Sequence, residues 1–107
     1  MLNKLQHADT FSVTATGTSA ATATKTGAAN TMYYISDITV ASDKAGAVGT
    51  VKQGSTTVWE FVLSANTSQS MRFSSVIPGV VGGDVSVTVD GTSVCKANIA
   101  GFALKLT

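Results

Sequence analysis

From Asp9 onward, apolar and polar residues change places at every second position. That period belongs to a β-strand, whose side chains point to opposite faces in turn; an amphipathic helix would repeat its apolar residues every three or four. Phe11, Val13 and Ala15 share one parity, with Thr10, Ser12, Thr14 and Thr16 on the other. Val85, Val87 and Val89 alternate with Ser86, Thr88 and Asp90 in the same way. Gly, Asn and Asp punctuate the runs, there is one proline, and no stretch reads as a helix.

The punctuation predicts about eight short strands. The first begins at Asp9 and ends at the Gly17-Thr18-Ser19 turn, and Ala20 to Lys25 is a weaker Ala/Thr strand. Thr31 to Ser42 gives the strongest signal, with Met32, Tyr34, Ser36, Ile38 and Val40 on one side and Tyr33, Ile35, Asp37, Thr39 and Ala41 on the other. Both sides are apolar at its start, so that start is expected to be covered on both faces. Ala47–Gln53 and Thr56–Leu63 read as a hairpin across Gly54-Ser55, glycine first as a type II′ turn prefers. Trp59 and Phe61 are the expected centre of the core, and Glu60 is expected on the outer face, opposite Lys52. Gln69 to Ser75 is a short strand, followed by an apolar loop from Val76 to Asp84. Asp90-Gly91 reads as a hairpin leading into a return strand from Val94 to Leu106, with a break at Gly101. Residues 1–8 carry Leu2 and Leu5 but no repeat and read as an N-terminal arm on a domain spanning 9–107. The fold class expected is all-β, an antiparallel β-sandwich of about eight strands; that number favours a jelly-roll. An immunoglobulin-like sandwich is the alternative, without its usual cysteine pair.

Composition narrows the function. Seven Lys and Arg against six Asp and Glu give a net charge of +1, which leaves no basic excess for neutralising nucleic-acid phosphates. Charged residues are 12% of the chain while 16 Thr and 12 Ser supply most of its polarity, so the surface must be neutral hydroxyl rather than charge. The opening MLNKLQHADTF has no apolar run long enough for a signal peptide, and nothing approaches a membrane span. The expectation is synthesis in a cytoplasm, with neither nucleic acid nor membrane as partner.

The residues of catalysis are sparse. Cys95 is the only cysteine and reads as a small strand side chain; the only histidine, His7, lies in the arm. Glu60 is the sole glutamate, and Asp37, Asp43, Asp84 and Asp90 are spread along the chain, three of them bordering turns where Asp favours local hydrogen bonds. No Cys/His cluster suggests zinc, no dense Asp/Asn loop suggests calcium, and Gly79, Gly82 and Gly83 do not form a phosphate loop. No catalytic residue, cofactor or metal is therefore assigned, and the chain is expected not to be an enzyme. Tyr33, Tyr34 and Trp59 could stack on a sugar, but core or subunit contacts are the simpler use of them. Low charge, apolar residues on both faces of the 31–42 strand and the apolar 76–84 loop together point to association. Leu2, Leu5, His7, Tyr33, Tyr34, Ile77, Val80 and Val81 are the candidate interface residues.

The run Tyr33-Tyr34-Ile35-Ser36-Asp37-Ile38, the strand Thr57-Val58-Trp59-Glu60-Phe61 and Ile99-Ala100-Gly101-Phe102 resemble small virion proteins of tailed bacteriophages, most of all head decoration (cement) proteins. The likeness is one of style and spacing from residue 9 onward, with no diagnostic motif. It implies a jelly-roll sandwich that forms a trimer, sits on the outside of the phage head and binds the major capsid protein. A carbohydrate- or receptor-binding sandwich and a tail or neck subunit are the alternatives.

Overall fold

The computed structural model describes residues 9–64 and 66–105 and, over 73–78, the backbone alone. The candidate residues Leu2, Leu5 and His7, and the whole of the expected arm, lie outside the described residues. Eight strands follow one another: β1 (Asp9–Gly17), β2 (Ala20–Lys25), β3 (Thr31–Ser42), β4 (Ala47–Gln53), β5 (Thr56–Leu63), β6 (Thr67–Pro78), β7 (Val85–Asp90) and β8 (Cys95–Lys105). They build two four-stranded sheets, ordered β1-β8-β3-β6 and β2-β7-β4-β5, with every pairing antiparallel. This is the jelly-roll arrangement of a β-sandwich. Only β4 and β5 are neighbours both in sequence and in a sheet; each of the other connections crosses from one sheet to the other.

The core is aliphatic. Ile35, Ile38, Val40 and Ile99 from one sheet meet Val51, Val85, Val87 and Val89 from the other, all essentially without solvent contact. Each side chain of this kind contributes about 1.5–3 kcal/mol on burial. Small residues (Ala21, Ala23, Ala47, Ala97 and Cys95) fill the remaining inward positions. The alternation of β7 explains its central place: its three valines face in, and Ser86, Thr88 and Asp90 face out.

Trp59 does not lie at the centre of this core. It pairs with Val51 on the inward side, but β5 is an edge strand, and across the sandwich it barely meets β6, so Trp59 remains 44% exposed. A bulge makes Val58 an extra residue in β5, and Val58 packs against the core alongside Phe61. The bulge also slides the register, so that Glu60 lies opposite Thr50 and Lys52 opposite Thr57. Gly101 does not break β8, which runs through it. The irregularity is in β3, where the register shifts between Ile35 and Asp37 and Ser36 is the extra residue. Before it, Thr31, Tyr33 and Ile35 face in; after it, Ile38, Val40 and Ser42 do. The switch of parity resolves the two apolar faces: the core takes the odd-numbered residues first and the even-numbered ones later. The expected 76–84 loop is also shorter, because β6 continues to Pro78 and Ile77 pairs with Ile35. Asp90-Gly91 does not turn a hairpin, since β7 and β8 belong to different sheets.

Gly101 is what allows the bulge. A Cβ there would fall 1.9 Å from the carbonyl oxygen of Tyr34 and 3.2 Å from Cα of Ile35, both backbone atoms that cannot swing aside. Gly101→Ala is expected to destabilise the fold by about 1–3 kcal/mol, the usual range for overpacking, although alanine is otherwise the better strand residue. The check is a urea titration: the midpoint should fall with an unchanged slope.

Candidate functional site

Successive connections alternate between the two ends of the sandwich, because every strand reverses the chain. One end gathers residues 17–20, 42–46 and 91–94. The other gathers 26–30, 54–55 and 79–84. Aspartates fix both. At the first end, the Asp43 carboxylate accepts the backbone N–H of Thr92 at 2.9 Å and of Ser93 at 3.0 Å, while the Asp43 N–H donates to the Val94 carbonyl. Asp90 answers from the opposite strand: it accepts Lys44 Nζ at 2.7 Å and the Val48 N–H at 2.6 Å, and its carbonyl takes the Ser42 hydroxyl. At the second end, Asp84 accepts the Gly27 N–H at 2.6 Å. These carboxylates were expected to serve their own turns; each instead ties one connection to another far away in sequence.

Two concave or projecting features result. At the Asp43 end, Ala41, Asn66, Ser68, Ser93, Val94 and the Lys96 stem line a shallow concavity of about 640 Å³. At the Asp84 end, the Gly79 N–H donates to the Tyr33 carbonyl, the Gly82 N–H to the Thr31 carbonyl and the Gly83 N–H to Val80. That short connection is thus fixed, and it holds Val80 and Val81 at 65% and 48% exposure. They do not fold back over the end of the sandwich.

Of the candidate interface residues, Val80 and Val81 stand together on the surface. Tyr33 belongs to the core, edge-on to Phe11 at 5.4 Å with its hydroxyl donating to the Thr26 carbonyl. Lys25 Nζ lies 5.9 Å and 5.8 Å from the centres of these two rings, within cation–π reach. Tyr34 points to the outer face, where Phe102 of β8 stacks on it at 4.9 Å. Ile77 is placed in β6 by its backbone. Sequence reading missed Val48, Val62 and Val94, which are also exposed; the Val48–Val62 pair was visible only once the register of β4 and β5 was known. No group of three or more His, Cys, Asp or Glu side chains comes together among the described residues.

The backbone donors of Thr92 and Ser93 hold the Asp43 carboxyl down at about 2, from an ordinary 3.8. The Lys44 ammonium, then the Val48 N–H, lowers Asp90. Burial, then the Asp43 and Asp90 charges, pushes the Cys95 thiol up. The thiol is therefore kept protonated and enclosed.

The described residues define a jelly-roll sandwich with rigid ends, an apolar projection at one and a concavity at the other. Among solved structures, it is similar to a Bacillus endospore appendage protein from a family of disulfide-linked pili, with a TM-score of 0.51 and 15% identity over 94% of this chain and 89% of that one. A CBM36 domain of a multidomain xylanase, from the hindgut metagenome of Trinervitermes trinervoides, aligns over 92% and 98% of the two chains at TM-score 0.39 and 14% identity. The C-terminal CBM6 of a marine laminarinase from Zobellia galactanivorans aligns over 91% and 99% at 0.44 and 11%. At these identities the first likeness establishes the fold alone, and the two weaker ones carry no argument. No family model matches the chain, and no curated protein does.

Two outcomes follow. The Asp43 and Asp90 carboxylates are more acidic in the folded chain than in the unfolded one. The stabilisation from Asp43 is present above the unfolded value of 3.8 and is lost as the pH falls through its folded value of about 2, and that from Asp90 is lost in the same direction. The urea midpoint should drop over that window, and Asp43→Asn should lower it at neutral pH while flattening the acid slope. Separately, Cys95 should resist a maleimide in the native protein and react at once in denaturant; fast native labelling would contradict its burial.

Proposed function

We propose that this chain is a structural subunit that works by adhesion, to copies of itself and to the outside of a phage head. The supporting observation is the distribution of exposed apolar side chains: Val80 and Val81 on a fixed connection at one end, Val94 at the other, and Val48 and Val62 on a sheet face. A chain with so little charge has few repulsive groups to keep such surfaces apart. The resemblance to head decoration proteins adds the setting: a trimer on the shell, holding neighbouring copies of the major capsid protein together. A protein that binds the assembled shell and not its free subunits raises shell stability by mass action. Cys95 is enclosed, so cohesion here does not use that thiol, unlike the links that name the pili.

The second reading, a carbohydrate-binding sandwich, is favoured by one observation, the half-exposed Trp59. Tyr33 and Tyr34 do not join it in a platform, since one is in the core and the other is stacked on Phe102.

Calorimetry of phage heads assembled with and without this protein tests the first reading. Decorated heads should melt higher, and an equal melting temperature would remove it. Titration of the purified protein with oligosaccharides, followed by the fluorescence of its only tryptophan, tests the second; a saturable change supports it and a flat trace rejects it.

A further inference from the structure

Alternation puts small and apolar side chains at the inward positions of the strands, and at one end of the sandwich this breaks down. Asp9 shares the parity of Phe11, Val13 and Ala15 in β1, and Lys25 that of the buried Ala21 and Ala23 in β2. Lys105 shares the parity of Ala97 and Ile99 in β8. Their cross-strand partners agree: Lys25 pairs with buried Val85, and Lys105 with buried Thr31. Three charged residues thus stand at inward positions beside the 26–30 connection, where they line a cavity of about 430 Å³, within the range of small-ligand sites. Register explains the space. Asp9, Ala103 and Tyr33 form one row across β1, β8 and β3, and its middle member is only an alanine. Lys25 reaches in from the other sheet, with Nζ 5.9 Å from the Phe11 ring centre and 5.8 Å from that of Tyr33. It is half-buried, and among the described residues neither it nor Lys105 nor Asp9 is in an ion pair.

We propose that this cavity binds a sugar acid, a hexuronate unit of an acidic saccharide. Charge decides between ligand classes. Two ammonium groups and one carboxylate leave the cavity at +1, so a ligand with one negative charge neutralises it. The attraction is stronger than at an open surface, because less water screens a half-buried ammonium. A simple anion such as phosphate is drawn by the lysines and repelled by Asp9. A zwitterionic amino acid adds no net charge and sets its own ammonium among two others. A neutral sugar leaves both lysines without a counter-charge. A hexuronate suits all three groups: its carboxylate accepts from Lys25 and Lys105, and its ring hydroxyls donate to the Asp9 carboxylate. The half-buried Phe11 supplies an apolar wall, and the Tyr33 hydroxyl, already donating to the Thr26 carbonyl, is left as an acceptor. The inference rests on neither reading above. Trp59 lies on β5, at the opposite edge of its sheet from Lys25 on β2, and attachment to a phage head does not involve this cavity.

Isothermal titration of the whole chain with a trisaccharide of galacturonate tests it, beside the neutral galactose trisaccharide, acetate and phosphate. The acidic saccharide should bind saturably, at least tenfold more tightly than any of the other three, and more weakly as salt is raised. Lys25→Met keeps a stem over the rings and removes the charge; Lys105→Met does the same at an exposed position. Each should weaken binding about tenfold, the usual loss of one charged hydrogen bond. Lys52→Met, on the outer face of β4 at the same end, should leave it unchanged. Circular dichroism checks the fold of each variant, and the Lys105 variant keeps the test valid if the Lys25 variant does not fold. No saturable binding, equal affinity for the neutral saccharide or for acetate or phosphate, or binding that folded lysine variants leave unchanged would overturn the inference.

Discussion

Six of the seven connections in this chain leave one sheet and enter the other, and only Gly54-Ser55 turns a strand back on its neighbour. This non-local topology is the constraint on which the rest depends. A hairpin brings its strands together through the turn alone, but an arch between sheets brings together strands that have no local reason to meet. The order of the core therefore depends on what holds the arches. Here it is done by side chains that accept backbone donors from a distant part of the chain: Asp43 from 92 and 93, Asp84 from 27, Asp90 from 48 in β4. A carboxylate can satisfy several such donors at once, which is why three aspartates suffice for a chain with so few charges.

The same arrangement holds the connections at the two ends in place. Loops on a sandwich are ordinarily its mobile parts. In this chain, Gly27, Gly82 and Gly83 let two connections approach closely, and the backbone hydrogen bonds at Tyr33 and Thr31 hold the second of them against β3. Valines displayed on such a connection lose little freedom on contact with a partner, so less of the contact energy is spent on ordering them. The sheet faces differ in kind. Their threonines and serines hydrogen-bond to each other, as Thr22 does to Thr88 and Thr39 to Ser70, and present hydroxyls without charge.

Alternation reveals what is local, and the structure shows where that ends. The bounds of β2, β3, β4 and β5 were legible, because glycine, asparagine and the Gly54 turn mark them in the sequence itself. The extra residue at Ser36 was not, because its cause is the absence of a Cβ on Gly101, 65 positions away. The misplacement of Trp59 has the same origin: parity puts it on the inner side, but only the sheet order shows that β5 is an edge strand. The exposure of Val80 and Val81 was suggested by their composition, and their fixed position was not, since it depends on carbonyls of β3. The aspartates read as turn formers for the same reason; their partners lie in other arches.

A jelly-roll of this kind separates stability from recognition. The aliphatic core, Ile35 to Ile99 against Val51 to Val89, lies between the sheets, and the exposed valines stand outside it. Val80 and Val81 stand outside the core, while Gly101 and Asp43 act on the fold. Folding and the display of exposed valines thus rest on different residues. That division suits the proposed role of a subunit held in place. In that role the ends would meet a neighbour and the 45 Å body between them would set the spacing.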